Sequence, residues 1–375
     1  MRRKVLFYSV GRSDYDRYFP ILEKLNKKNI DFAIALNSIH LSAKFGSTFK
    51  FIDKKFKLFV PKSTKNKFET KSDIIKNFSE NINFLNTVFN KYRPDLLVVL
   101  GDRYEMMCAP LCAVQYNIPI IHFYGGSTTI GSIDDYIRNA ITKMSHFHFV
   151  ATKRYKDKIV QINRKKSNIK IAGLIGFQKT IKKKLMKKNR FFQKIKLEPQ
   201  KFILLSFHPE TKTKININIQ LKILEKIIKK VNFRFIISYP NADFGNHKII
   251  KFYKKILNSC SNVTVIKNCG QDLFLNFINY SSLMIGNSSA GIVESSFLNK
   301  ASINIGSRQK GKVIPNNVLN VQWKEKDILS KINIFLNKKT YRSKLLISNP
   351  YNEKISALQV AKFISKVDLT SLKEF

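Results

Sequence analysis

The chain has 375 residues, with 68 Lys and Arg against 25 Asp and Glu for a formal charge of +43, and it is 44% hydrophobic and 12% aromatic. That length suits two α/β domains better than one, because single cores usually stop growing near ~250–300 residues. No apolar run approaches the ~18–20 residues of a membrane helix, and Val5–Val10 after the basic start is too short for a signal peptide, so a cytoplasmic protein with no membrane partner is expected.

So large a positive charge raises a nucleic-acid binder as one reading, since Lys and Arg neutralise phosphates and release counterions. The lysines, however, are spread along the whole chain, as in Lys182-Lys183-Lys184 and Lys187-Lys188, with no zinc-finger, RRM or basic-region pattern. A general codon drift toward Lys, Asn and Ile explains that spread better, and no specific nucleic acid is expected. The surplus still draws a polyanionic nucleotide toward the protein. Cys108, Cys112, Cys260 and Cys269 form no CxxC pair and have no His at zinc spacing. They read as core thiols, and no carboxylate or histidine cluster demands a metal.

Short aliphatic runs alternate with longer amphipathic ones, the pattern of parallel βα units. Strands are expected at Val5–Val10, Phe32–Leu36, Leu96–Leu100, Ile118–Phe123 and Phe147–Ala151, with helices over Pro20–Asn26 and Ile74–Tyr92. The rhythm restarts after a Lys-rich stretch with Phe202–Phe207, Phe235–Ser238, Val263–Ile266, Leu283–Ile285 and Ala301–Ile305, and a helix over Ile355–Val367 ends it. The expected organisation is a Rossmann-like domain over 1–178, a linker region over 179–200, a second Rossmann-like domain over 201–350, and a terminal helix, 351–375, packing back on the first domain. Two such domains facing across a cleft would bind ligand at the carboxyl ends of their strands.

Polar residues gather at those ends. Gly11-Arg12-Ser13-Asp14 follows the first strand, either as an anion site at a helix start or as an ordinary capped turn. Gly101-Asp102-Arg103-Tyr104-Glu105 follows Leu96–Leu100, where a salt bridge and a functional role are both open. Gly125-Gly126-Ser127, whose paired glycines would let backbone approach a ligand, precedes Ile133-Asp134-Asp135-Tyr136-Ile137-Arg138-Asn139. His208-Pro209-Glu210 ends Phe202–Phe207 and offers an acid/base candidate, although a lone His is more often structural. Tyr239-Pro240-Asn241 follows the next strand. Gly286-Asn287-Ser288-Ser289 opens a helix whose N–H groups suit a diphosphate, Glu294 stands one turn in, suited to ribose hydroxyls, and Arg308 follows Ala301–Ile305. No GxGxxG, Walker A, HExxH or GxSxG pattern occurs, which argues against dehydrogenase, ATPase, zinc protease and serine hydrolase readings.

In this order the blocks resemble the hydrolysing UDP-N-acetylglucosamine 2-epimerases, a family that includes bacterial enzymes of sialic and legionaminic acid synthesis. The similarity runs from Gly11 to about Tyr351 and is strongest at Gly101–Glu105, Ile133–His146, Gly286–Glu294 and Asn304–Gly311. The resemblance implies a GT-B-like pair of Rossmann domains, a nucleotide held mainly by the second, no cofactor, and a homodimer. It also implies loss of the proton on sugar carbon 2, departure of the nucleoside diphosphate to leave a glycal, and addition of water with inversion at that carbon. The matching positions are Arg12 and Arg103 toward the substrate, with His208 and Asn241 at the cleft. Ser288, Ser289, Glu294 and Arg308 would hold the UDP- or GDP-linked sugar, while Asp102 and Asp134 would serve proton traffic. The chain departs from the family pattern where Ser127 stands for a catalytic Glu and Asn139 for a His, and more mildly where Asn352-Glu353-Lys354 replaces a Gly-x-Gly. The alternative is therefore a nucleotide-sugar-binding homologue whose activity is lost or redirected.

Overall fold

The computed structural model describes residues 3–42, 47–62, 70–128, 133–163, 166–210, 215–240, 246–267, 269–337 and 348–370. In chain order its elements begin with β1 (Lys4–Ser9), α1 (Arg12–Asn26), β2 (Asp31–Leu36), β3 (Lys57–Phe59), α2 (Lys71–Tyr92), β4 (Leu96–Leu100) and α3 (Cys108–Gln115). There follow β5 (Ile120–Phe123), α4 (Asp134–Met144), β6 (Phe147–Val150), α5 (Lys153–Asn163), β7 (Ile169–Ile171), α6 (Phe177–Lys184) and α7 (Lys188–Ile195). Then come β8 (Phe202–Ser206), α8 (Ile217–Lys230), β9 (Arg234–Ser238), α9 (Asn246–Ser259), β10 (Val263–Ile266), α10 (Gly270–Tyr280) and β11 (Leu283–Gly286). The chain closes with α11 (Val293–Phe297), β12 (Ser302–Ile305), β13 (Val318–Val321), α12 (Glu325–Asn337) and α13 (Ala357–Lys366). Two compact units divide it: Met1–Ser127, Ile133–Phe177 and Glu353–Phe375 form the first, and Thr128–Ser132 with Gln178–Asn352 the second.

The first unit is a seven-stranded parallel sheet in the order β3-β2-β1-β4-β5-β6-β7. Both faces are buried, and alternate residues supply them, as the period-2 pleat requires. Val5 and Phe7 of β1 join Phe32, Ile34, Leu96 and Val98 in one core, against Tyr18, Ile21 and Leu22 of α1. Leu6 and Tyr8 join Ala33, Ala35, Leu97 and Val99 in the other, against Leu85 and Phe89 of α2 and Cys108 and Cys112 of α3.

Helix α13 brings the end of the chain back to this unit. Its Ala357, Val360, Ala361 and Ile364 recur at helical spacing and enter the α1-side core. Phe363 lies 4.2 Å from Phe147, centroid to centroid. The N-terminus is closed by a capping box, with Gln359 N–H donating to Ser356 Oγ at 3.3 Å and Ser356 N–H to Gln359 Oε1 at 2.9 Å. At the other end Arg3 donates to the carbonyls of Ile364 and Val367 at 2.8 and 2.6 Å. Burying Val360 and Ile364 alone contributes about 3–6 kcal/mol before entropy is counted.

The second unit is a six-stranded parallel sheet, β10-β9-β8-β11-β12-β13. Residues 179–200, read from sequence as a linker region, fold as most of α6 together with α7. Phe191 and Phe192 account for this: both are buried, and Phe191 stacks on Tyr280 at 5.0 Å and meets Phe277 edge-on.

Five elements differ from the sequence expectations in ways that physics explains. Helix α1 begins at Arg12, eight residues before Pro20, because Tyr15, Tyr18, Ile21, Leu22 and Leu25 make one buried stripe that runs through the proline. Strand β5 begins at Ile120, after Pro119, which lacks the N–H but still accepts from Leu97 N–H at 2.9 Å. Strands β3, β7 and β13, which the sequence reading passes over, are three to four residues long and lie at sheet edges. An edge strand this short shows no alternation to detect.

Candidate functional site

In an open parallel sheet, ligands bind at the carboxyl ends of strands where the strand order reverses. In the first unit the reversal lies between β1 and β4, and in the second between β8 and β11. Arg12 follows β1, Asp102 and Arg103 follow β4, His208 follows β8, and Ser288 and Ser289 follow β11.

In the first unit the β4 exit turns at Gly101, whose φ of +80° suits glycine. Asp102 there pairs with Arg138 of α4. Arg103 is held by both carboxylate oxygens of buried Glu105, at 2.9 and 3.1 Å, yet its side chain stays 54% exposed. Arg12 lies over the Phe51 ring at 4.3 Å with Asp16 at 3.9 Å, whereas Arg17, the other arginine of that helix start, lies over Phe177 at 3.5 Å. Asp14 is buried and accepts from Val10 and Gly11 N–H at 2.9 and 3.3 Å. Burial pushes its pKa up to about 6, against the pull of those N–H groups and of Arg103.

Asp134 and Asp135 open α4, where the helix dipole favours acids. Asp134 is half-buried. Its neighbour Asp135 bonds Arg138 at 2.9 Å and faces Lys158 at 3.5 Å. The Arg138 side chain is 2% exposed and also donates to the Ser127 carbonyl at 2.6 Å. Asn139 Oδ1 is buried without a protein partner.

The paired glycines serve a purpose the sequence reading did not see. A Cβ on Gly125 would come within 2.8 Å of His122 Nδ1, and one on Gly126 within 2.3 Å of the Tyr155 carbonyl. The backbone therefore packs against this unit's own β5 histidine and α5. His122 donates from Nε2 to the Gly101 carbonyl at 2.8 Å and accepts at Nδ1 from Thr142 Oγ1, 3.3 Å away. Burial, with Arg138 nearby, lowers its pKa to about 4, so it is neutral at ordinary pH.

In the second unit the predicted residues converge on one the sequence reading left without a role, Asn287, which is fully buried. Its amide accepts from His208 N–H and donates to the His208 carbonyl, both at 2.8 Å, and approaches Glu210 at 3.4 Å. The Asn287 carbonyl accepts from Arg308 Nη1 at 3.2 Å and Gln309 Nε2 at 2.9 Å. Gly286 permits this: at its φ of +132° a Cβ would stand 2.0 Å from the Ser206 carbonyl.

The two serines divide. Ser288 is buried and caps a short 3-10 turn by accepting from Ala290 N–H at 3.3 Å, while Ser289 is exposed. The N–H groups of Ala290, Gly291 and Ile292 close that turn instead of pointing outward as a diphosphate cradle. Glu294 is half-buried in the first turn of the five-residue α11. Asn241 lies outside the described residues. Among the described residues no group of three or more His, Cys, Asp or Glu is arranged to hold a metal, and no helix is long and apolar enough to cross a membrane.

The profile of a family described as UDP-N-acetylglucosamine 2-epimerase matches residues 23–365. The chain is 30% identical over 376 residues to UDP-N,N'-diacetylbacillosamine 2-epimerase (hydrolyzing) of Legionella pneumophila, covering 99% of this chain and 98% of that one. It is also 30% identical over 380 residues to polysialic acid biosynthesis protein P7 of Escherichia coli, covering 100% and 97%. In fold it is similar to the Methanocaldococcus jannaschii UDP-GlcNAc 2-epimerase solved with UDP-GlcNAc and UDP, with a TM-score of 0.77, 18% identity, and 96% and 99% of the two chains covered. The two parallel-sheet units thus have the GT-B-like architecture expected of them. Matched from end to end in sequence and in fold, the chain belongs to the UDP-N-acetylglucosamine 2-epimerase family.

Proposed function

We propose that this protein is a hydrolysing nucleoside-diphosphate-N-acetyl-amino-sugar 2-epimerase of surface-glycan or nonulosonic acid synthesis. The observation that carries the reading is the end-to-end match to a relative named as a hydrolysing 2-epimerase of a diacetamido sugar nucleotide. Further support comes from the acids and cations at both sheet reversals. A carboxylate takes the proton from sugar carbon 2, and that electron pair becomes the C1–C2 double bond. The C1–O bond breaks, and its electrons leave on the nucleoside diphosphate. Water then supplies OH to C1 and H to C2 on the opposite face, so that nucleotide sugar plus water gives free 2-epimeric hexosamine plus diphosphate.

In this reading Asp102 and Asp134 carry the protons, assisted by His208. Arg12 and Arg103 meet the substrate, as does Asn241. The nucleotide, with uracil or guanine as its base, is held by exposed Ser289, by Arg308 and Glu294, and through the turn that Ser288 caps. The reading includes a cytoplasmic homodimer, which sedimentation velocity tests. Incubation with a panel of UDP- and GDP-linked acetamido sugars, followed by mass spectrometry, should yield free hexosamine and diphosphate together. Diphosphate without a 2-epimeric sugar would reject it.

One observation favours a second reading. Ser127 has no carboxylate to offer at the position where the family has one, which suits a homologue that binds nucleotide sugars without turning them over. Binding without any released sugar across the panel is its signature.

A further inference from the structure

We infer that Arg138 is the positioning residue for Asp102, a single buried guanidinium that holds the acid at the β4 exit, the backbone at the β5 exit and the first turn of α4 in one arrangement. The inference rests on the enzymatic reading above and adds a residue to which that reading gives no part. Arg138 bonds Asp102 through Nη2, and through Nη1 it donates to the Ser127 carbonyl at 2.6 Å and Asp135 at 2.9 Å. Its side chain is only 2% exposed, so the charge is tolerated because carboxylates surround it. The planar fork of an arginine is what lets one side chain reach three acceptors on separate segments, and a lysine ammonium on its single stem cannot do so.

Two properties of this arrangement bear on proton traffic. Arg138 has two carboxylate partners, so when Asp102 takes a proton Asp135 remains as counter-ion and the buried guanidinium is not stranded. The bond to residue 127 is made to its backbone carbonyl, so it is indifferent to the side chain there. Serine in place of a glutamate leaves the loop held and Asp102 oriented. The scaffold for the acid at residue 102 thus survives the loss of the acid at residue 127.

The test is a double-mutant cycle on kcat in the full-length protein, with the nucleoside diphosphate Kd measured alongside by calorimetry. Arg138→Lys should lower kcat by about 30- to 100-fold, the scale of a misplaced acid/base group, with Kd within twofold of native. In an Asp102→Asn background the same change should move kcat by less than threefold, because its effect passes through Asp102. Losses that multiply, or native kcat in Arg138→Lys, overturn the inference. If Arg138→Lys loses the native circular dichroism and thermal transition and so has not folded, Asp135→Asn loosens the same clamp from its other side and must show the same dependence on Asp102. A native protein inert on the whole panel sinks the enzymatic reading and this inference together, whereas native turnover with multiplying losses sinks the inference alone.

Discussion

Asn287 pairs with the backbone of His208 twice over, its side-chain amide accepting from the His208 N–H and donating to the His208 carbonyl, each at 2.8 Å. The pairing imitates one rung of a β-ladder with a side chain, and it fixes the second residue beyond β8 to the first residue beyond β11. Asn287→Ala removes both bonds inside a buried site, and each stranded group costs about 1–3 kcal/mol. Urea denaturation should show a loss of about 2–4 kcal/mol. Asn287→Asp is nearly isosteric, yet it sets a carboxylate oxygen against the His208 carbonyl and should cost at least as much. Native stability in Asn287→Asp would show that the second bond contributes nothing.

Arg308 also reaches this hub, through the Asn287 carbonyl. Replacing it by Ala should weaken diphosphate binding by roughly 1.5–3 kcal/mol, the worth of a charge-assisted hydrogen bond. Calorimetry at matched salt checks this, and unchanged affinity removes Arg308 from the nucleotide site.

Asp134→Asn should lower turnover at least ~100-fold, the scale of a lost general base, while diphosphate affinity stays nearly intact. The companion change Ser127→Glu restores the family's usual carboxylate. Gain of epimerisation from that change alone, in a protein otherwise inert, would favour the binding-homologue reading over the enzymatic one.

Asp14 makes a prediction about pH. Folding raises its pKa from 3.8 to about 6, chiefly by burial, so the folded state binds this proton more tightly than the unfolded chain does. Its contribution to stability is complete below pH ~4 and is lost as pH climbs through about 6. The stability of the native protein relative to Asp14→Asn should therefore fall by about 2–3 kcal/mol between pH 4 and pH 7.5. Urea midpoints across that range measure it, and a flat difference would mean that Asp14 is solvated.

The sequence shows the placement of these groups better than their connections. Asp102, His208, Ser288 and Arg308 were legible because each follows a recognisable aliphatic strand, and a parallel sheet delivers such residues to one end. Arg138 and Asn287 were in plain view, but what matters about them is a partner 36 and 79 residues distant. No local pattern carries a pairing over that separation. The crowding of Gly125 and Gly126 has no local signal, since the partners His122 and Tyr155 lie on β5 and α5. The edge strands β3, β7 and β13 were missed because pairing with a neighbour, more than their own composition, makes them strands.

The return of α13 to the first unit has a consequence for synthesis. The first sheet is translated early, but its α1-side core waits for Val360, Ala361 and Ile364, which leave the ribosome only after the whole second unit. The second unit lies between as an insert with a core of its own, free to finish while its host is still open along one apolar face. Chains stopped at residue 352 should accordingly keep a folded second unit and aggregate through the uncovered groove of the first. Arg3 reaches the carbonyl of Val367, so residues 3 and 367 are neighbours. A circular permutant joined there and opened in the exposed Lys196–Lys201 segment would deliver the host's parts together, and should reach the native state with less aggregation.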